Sequence, residues 1–103
     1  MSKKEDGKTG FIIGTSLLAS RLFPGYRRKN IKTRYGTVAV ELGSGVVFLQ
    51  RHGDRLVPPH MINHRANIQA LKDLGVSRIV AINSCGSLKK LFKPGSFVIP
   101  DDF

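Results

Sequence analysis

The chain has 103 residues, of which 41% are hydrophobic and 23% charged, a composition typical of one globular domain and not of a disordered chain. Seventeen lysines and arginines against seven acidic residues give a formal net charge of +10, which favours anionic partners: nucleic acid, an anionic membrane surface or small phosphorylated ligands. No apolar run exceeds strand length, and the run 11–13 after the polar N-terminus is too short for a signal peptide, so we expect neither a membrane span nor secretion.

The N-terminal quarter predicts a tail, a strand and a turn. Residues 1–9 are interpreted as a charged flexible tail, and residues 10–14 as a short buried strand that ends at the small polar residues Thr15 and Ser16. Because ligands bind at the carboxyl ends of strands in open parallel sheets, the Thr15 hydroxyl is well placed for a phosphate, with an ordinary turn as the alternative. Residues 17–24, which end at Pro24-Gly25, predict a short helix or an irregular connection.

The next segments predict a β-hairpin that ends in cations. Residues 31–36 and 37–42 have strand composition, and Gly43-Ser44-Gly45 separates the second segment from the apolar strand 46–50. Arg51 and His52 follow this strand directly, so a stiff element would hold their donors at the sheet edge, where they can converge on an anion. A solvated basic loop is the alternative interpretation of this cluster.

The second half predicts a helix, a strand and short connections. Residues 61–74 carry a helical stripe of apolar or small residues, and Gly75 stands where a C-terminal cap belongs. A buried strand is predicted over 76–82, followed by a small-residue loop, a turn of helix over 88–92 and a strand over 97–99. The order of elements predicts an α/β fold with a mixed, largely parallel sheet and flanking helices.

The single cysteine, Cys85, excludes an internal disulfide and has no second cysteine with which to bind a metal. This suits a reducing compartment, so we predict a cytoplasmic protein. We interpret Cys85 itself as a small buried hydrophobic residue.

Three strand ends are expected to line one edge of the sheet and to form an anion site. Arg51 offers a charged planar fork, His52 a donor and Thr15 a hydroxyl, while the loop after Asn83 offers backbone amides. This is the ligand set of a free phosphate, and it requires no metal. His60 and His64 stand four apart, but without carboxylate or thiolate companions we interpret them mainly as surface or packing residues.

Several motifs occur together and in order along the chain: Gly14-Thr15, Arg51-His52-Gly53, Pro58-Pro59-His60, Asn63 with Arg65-Ala66-Asn67, Gly86-Ser87-Leu88 and Lys93-Pro94-Gly95. In this combination the chain resembles the methylthioadenosine phosphorylase and purine nucleoside phosphorylase family over residues 10–103. The resemblance implies a nucleoside phosphorylase-like fold and a pentosyltransferase activity in which phosphate cleaves the N-glycosidic bond of a purine nucleoside. It also implies that no cofactor is used, with inorganic phosphate as co-substrate.

The resemblance also assigns residues. It implies that Thr15, Arg51, His52 and Ser84 bind phosphate, that Asn83 and Ser84 lie beside the ribose, and that this segment holds no assigned catalytic residue. It implies a homotrimer that acts in purine salvage on a small-molecule nucleoside. The substrate stays open between 5'-methylthioadenosine, 5'-methylthioinosine and ordinary purine nucleosides, although segments 35–38 and 81–84 favour the members that act on 6-oxopurines.

The chain departs from the family pattern at three places. Ser16 replaces a common glycine, the loop 54–57 is one residue short and lacks a histidine, and relatives continue well beyond Phe103. We therefore expect residues 10–103 to be the N-terminal portion of a single truncated domain, inactive alone, with an unpaired sheet edge and an uncovered apolar face.

A basic nucleic-acid-binding module is the alternative function, based on the cationic run 27–34 and the lysines of the tail. Such modules usually alternate cations with aromatic residues that stack on bases, and here only Tyr26 and Tyr35 flank the run. Nucleic acid is therefore the less favoured partner.

Overall fold

A computed structural model describes residues 7–14, 25–53 and 55–102. These residues form a five-stranded sheet, a short 3-10 helix and one α-helix. The elements in chain order are β1 (Lys8–Ile13), β2 (Arg27–Thr33), β3 (Gly36–Gly43), β4 (Val46–Gln50), η1 (Pro59–Met61), α1 (His64–Asp73) and β5 (Val76–Ile82). Residues 1–6 of the predicted tail and the predicted connection over 17–24 lie outside the described residues.

The sheet is mixed, with the strand order β2-β3-β4-β1-β5. Strands β2, β3 and β4 form two successive antiparallel hairpins, whereas β1 lies between β4 and β5 and runs parallel to both. The turn at Gly45 has a φ of 72°, a conformation that favours glycine in a tight hairpin. The predicted hairpin and the predicted mixed α/β sheet are therefore confirmed.

The core lies between one face of the sheet and helix α1. Alternate residues of β3 and β4 point toward the helix, because successive side chains of a strand project to opposite faces. The helix contributes residues spaced three and four apart, which share one face. All seven members of this cluster are at most 7% exposed: Val38, Val40, Val47, Leu49, Ala66, Ala70 and Leu71.

Helix α1 begins three residues later than predicted. Pro59–Met61 forms the 3-10 turn η1, and the side chain of Asn63 then caps α1 by accepting a hydrogen bond from the Ala66 amide at 3.1 Å. At the other end, Gly75 has a φ of 82° and donates its amide to the Lys72 carbonyl at 3.0 Å. The predicted glycine cap is confirmed.

Two strands begin at least two residues earlier than predicted. β1 begins at Lys8 and so extends into the segment interpreted as a tail, because it pairs with β5 from that residue onward. β2 begins at Arg27, since the antiparallel pairing with β3 starts at the Arg27–Leu42 pair. The basic run thus lies on a strand at the edge of the described sheet.

Four predictions for the C-terminal part are wrong. Residues 88–92 form bends and turns without a helix, and residues 97–99 form no strand, because no described strand pairs with them. Cys85 is exposed, since its loop extends past the end of β5 and no described element covers it. The strand predicted over 76–82 forms as β5 but is not buried as predicted, because every described residue from 77 onward is exposed, including the apolar Ile79, Val80 and Ile82.

Within the described ranges, no helix combines the length and apolar character needed to cross a bilayer.

Candidate functional site

The site lies where three parallel strands end. Since β4 and β5 both run parallel to β1, their carboxyl ends meet at the same edge of the sheet. The Arg51 amide donates to the Ile13 carbonyl at 2.8 Å, which extends the β1–β4 pairing by one step. Gly14, Arg51 and Asn83, the residues that follow the three strands, are thereby neighbours, as the sequence predicts.

The Arg51 side chain spans this edge from β4 to β5. Its Nη1 donates to the side-chain oxygen of Asn83 at 2.5 Å and lies 3.5 Å from the Ile82 carbonyl oxygen. Between β4 and β5 the guanidinium lies against buried Gly14, where an added Cβ atom would stand 2.6 Å from Nη2. These contacts use the N–H groups of Nη1, which are two of the five in the fork, so the fixed guanidinium can still bind an oxyanion.

The loop after Arg51 is closed by backbone hydrogen bonds. The Gly53 amide donates to Gln50, the Leu56 amide to Gly53 and the Val57 amide to His52, each at 3.1 Å. Leu56 has a φ of 53°, the left-handed region that non-glycine residues rarely adopt. The strained turn brings the Val57 carbonyl oxygen to 2.9 Å from Nδ1 of His52 and holds the ring in place.

Two asparagines of the helix region support the site, and sequence reasoning assigned them no role beyond the family motif. Asn67 is only 7% exposed and donates its Nδ2 to the Arg51 carbonyl at 3.2 Å, which ties α1 to the end of β4. Asn63 donates its Nδ2 to the Tyr35 carbonyl at 2.7 Å while its oxygen caps the helix. A buried asparagine on the apolar face of a predicted helix is the signal that could have revealed Asn67.

An open cavity of about 310 Å³ lies beside these residues. The charged side chains among its described lining residues come from the loop after β4, namely Arg51 and Arg55, with His52 between them. The described residues that β3, η1 and α1 contribute to the wall are uncharged: Thr37, Val38, Ala39, Met61, Asn63, Ala66 and Asn67. No acidic side chain is among the described lining residues, so the cavity suits an anion.

The other predicted site residues have different outcomes. Thr15 lies outside the described residues. Ser84 is exposed and has no side-chain hydrogen bond within the described part of the chain. His60 and His64 are both exposed, and the described ranges contain no group of three or more histidine, cysteine, aspartate or glutamate residues arranged to hold a metal ion.

Comparisons with known proteins identify the family to which the chain belongs. Residues 14–103 match the phosphorylase superfamily. The chain is 50% identical over 97 residues to a probable S-methyl-5'-thioinosine phosphorylase of Methanocaldococcus jannaschii, covering 91% of this chain and 38% of that protein. It is 42% identical over 107 residues to the S-methyl-5'-thioadenosine phosphorylase of Nitrosopumilus maritimus, covering 97% and 41%.

The fold has a counterpart among solved structures. The methylthioadenosine phosphorylase of Schistosoma mansoni in complex with tubercidin superposes with a TM-score of 0.77 at 37% identity, over 85% of this chain and 34% of that one. The sheet and helix therefore have the nucleoside phosphorylase fold. The chain belongs to the phosphorylase superfamily. It spans about two fifths of the length of the curated relatives described above.

Proposed function

We propose that this chain supplies the phosphate-holding part of a purine nucleoside phosphorylase. Such an enzyme uses inorganic phosphate to cleave the N-glycosidic bond and releases the free base with ribose 1-phosphate or its 5-methylthio form. The observation that carries the proposal is the position of the Arg51 guanidinium, which lies across the ends of three parallel strands and is held by Asn83. A cation fixed at that edge is suited to an oxyanion.

The proposed phosphate ligands are Thr15, Arg51, His52 and Ser84, with Asn83 and Ser84 beside the ribose. Arg51 and His52 follow each other at the end of β4, and the loop 83–87 lies next to them through the Arg51–Asn83 contact. A phosphate oxygen would attack the anomeric carbon as the bond to the purine breaks and positive charge develops on the sugar. Placing an anion beneath that charge accelerates the step by proximity and electrostatics, without proton transfer by Arg51 or His52.

The proposed substrate is a purine nucleoside or its 5'-methylthio derivative. The relatives that support this choice are named for S-methyl-5'-thioinosine and S-methyl-5'-thioadenosine. Of these two, the thioinosine relative shares the higher identity with this chain, which favours a 6-oxopurine base.

We further propose a homotrimer that acts in purine salvage in the cytoplasm. The exposed apolar residues of β5 would support assembly between subunits or packing against further segments of the same protein, because covering an apolar surface stabilises the folded state.

The test is phosphorolysis of 5'-methylthioinosine and 5'-methylthioadenosine by the full-length protein that carries this chain. We expect Arg51→Ala to lower kcat/KM by about a hundredfold, since it removes the fixed cation of the anion site. Arg27→Ala is the matched control, because Arg27 is an exposed residue at the start of β2 and should leave the rate unchanged. Full activity of the Arg51 variant, or no phosphorolysis of any purine nucleoside by the wild-type protein, would contradict the proposal.

A further inference from the structure

His52 contacts Val57 in a way that determines which ring nitrogen carries a proton. Nδ1 lies 2.9 Å from the Val57 carbonyl oxygen, and the Val57 amide donates back to the His52 carbonyl at 3.1 Å. A carbonyl oxygen can only accept a hydrogen bond, so Nδ1 must carry the hydrogen. In the neutral ring the other nitrogen, Nε2, therefore has no hydrogen and acts as an acceptor.

Among the described residues that line the cavity with His52 there are two cations and no carboxylate. The half-buried ring lines the cavity beside Arg51 and Arg55, the two charged residues of its loop that the structure describes. The described residues that β3, η1 and α1 add to the cavity wall carry no charge. Two guanidinium groups attract any oxyanion, whereas a bare Nε2 in the same wall favours only an oxyanion that can donate a hydrogen bond.

We propose that His52 makes the site selective for a protonated oxyanion, so that it binds hydrogenphosphate in preference to sulfate. The two anions share a charge of −2 and a tetrahedral shape, but only hydrogenphosphate carries an O–H that can donate to Nε2. A sulfate oxygen in the same place would face the lone pair of Nε2 and leave both acceptors without a hydrogen. The inference rests on the proposed phosphate site and names the residue that gives that site its anion specificity.

Calorimetric titration of the full-length protein with inorganic phosphate and with sulfate, at about pH 8.5 and constant ionic strength, tests the selectivity. We expect the wild-type protein to bind phosphate about tenfold more tightly than sulfate, because phosphate donates one hydrogen bond to Nε2 whereas sulfate leaves that acceptor unpaired. In His52→Gln the ratio should fall to about one, since an amide can turn either its N–H or its oxygen to the anion. His60→Gln, the same change at an exposed histidine of η1, should keep the wild-type ratio.

A second measurement keeps the inference testable if His52→Gln disturbs the loop. In the wild-type protein with ¹⁵N-labelled histidine, we expect the His52 signals, assigned by their loss in His52→Gln, to show a protonated Nδ1 and an unprotonated Nε2. A protonated Nε2 in the neutral ring, equal wild-type affinities for the two anions, or full selectivity in His52→Gln would overturn the inference alone. A wild-type protein that binds neither anion would overturn the phosphate site itself, and the inference with it.

Discussion

The side-chain oxygen of Asn83 lies 2.5 Å from Nη1 of Arg51, although the two residues are 32 positions apart in the chain. An amide oxygen orients a guanidinium without neutralising it, so the positive charge stays available for an anion. In a structural ion pair the arginine charge would be neutralised by a carboxylate, whereas this neutral contact holds the guanidinium in place and leaves its charge for a bound anion. Its consequences can be measured by changing either partner.

Substitution of Asn83 separates positioning of Arg51 from contact with the sugar. In Asn83→Ala we expect the KM for phosphate to rise about tenfold with little change in the KM for the nucleoside, because the guanidinium loses its acceptor. Asn83→Asp keeps an oxygen acceptor but adds a negative charge that competes with phosphate, so its KM for phosphate should rise further. Steady-state kinetics with each substrate varied in turn provides the measurement. A rise confined to the nucleoside KM would instead show that Asn83 acts on the ribose.

Gly14→Ala should displace Arg51 without affecting the rest of the sheet. The new Cβ would stand 2.6 Å from Nη2, closer than a side chain tolerates, so the guanidinium must move. We expect phosphate binding to weaken by about tenfold or more in calorimetry, with unchanged circular dichroism. Gly86→Ala is the matched control, since a Cβ there would meet no atom within 4 Å. Equal phosphate affinities of the two variants would contradict the steric explanation.

Leu71→Ala should be among the most destabilising single changes in α1. Leu71 is 1% exposed in the core between the helix and the sheet, so its truncation leaves a cavity and costs about 3 kcal/mol of unfolding free energy. Ile68→Ala on the same helix is the control, because Ile68 is 48% exposed and its truncation should cost much less. Thermal or urea unfolding of the full-length variants compares the two. Similar shifts in both would mean that α1 does not pack as described.

Asn63 makes two structural hydrogen bonds, and two substitutions separate their contributions to stability. Asn63→Ala removes both the helix cap and the hydrogen bond to the Tyr35 carbonyl, and should cost about 2 kcal/mol. Asn63→Asp keeps the capping oxygen but loses the Nδ2 donor, so we expect a smaller loss of stability. The melting temperatures of the two variants give the order. A loss in the aspartate variant as large as that in the alanine variant would show that the contact with Tyr35 outweighs the cap.

Local features of the chain were predictable because their causes are local. The glycines that flank Ser44 mark a tight turn between two apolar strands, and the β3–β4 hairpin follows directly. The spacing of Ala66, Ala70 and Leu71 likewise predicts the buried face of α1. The start of that helix was less accurate, because the capping asparagine also depends on a contact with the β2–β3 turn.

The failures concern segments whose state depends on a partner. Residues 97–99 have strand composition, yet a strand requires a neighbour to pair its backbone groups, and no described strand provides one. Cys85 was expected in the interior on the basis of residue type, whereas its loop lies beyond the covered part of the sheet. Composition indicates what a segment could form, but the neighbours determine what it does form.

For this protein, local sequence patterns establish which groups are available for binding: an arginine and a histidine after a stiff apolar strand, small residues after two others, and a family motif around them. How these groups combine depends on the tertiary structure. The parallel placement of β1 between β4 and β5 brings Asn83 to Arg51, and the turn at Leu56 brings a carbonyl to Nδ1 of His52. Strand order arises from long-range pairing, and the orientation of the ring arises from a turn whose backbone conformation the residue types alone do not specify.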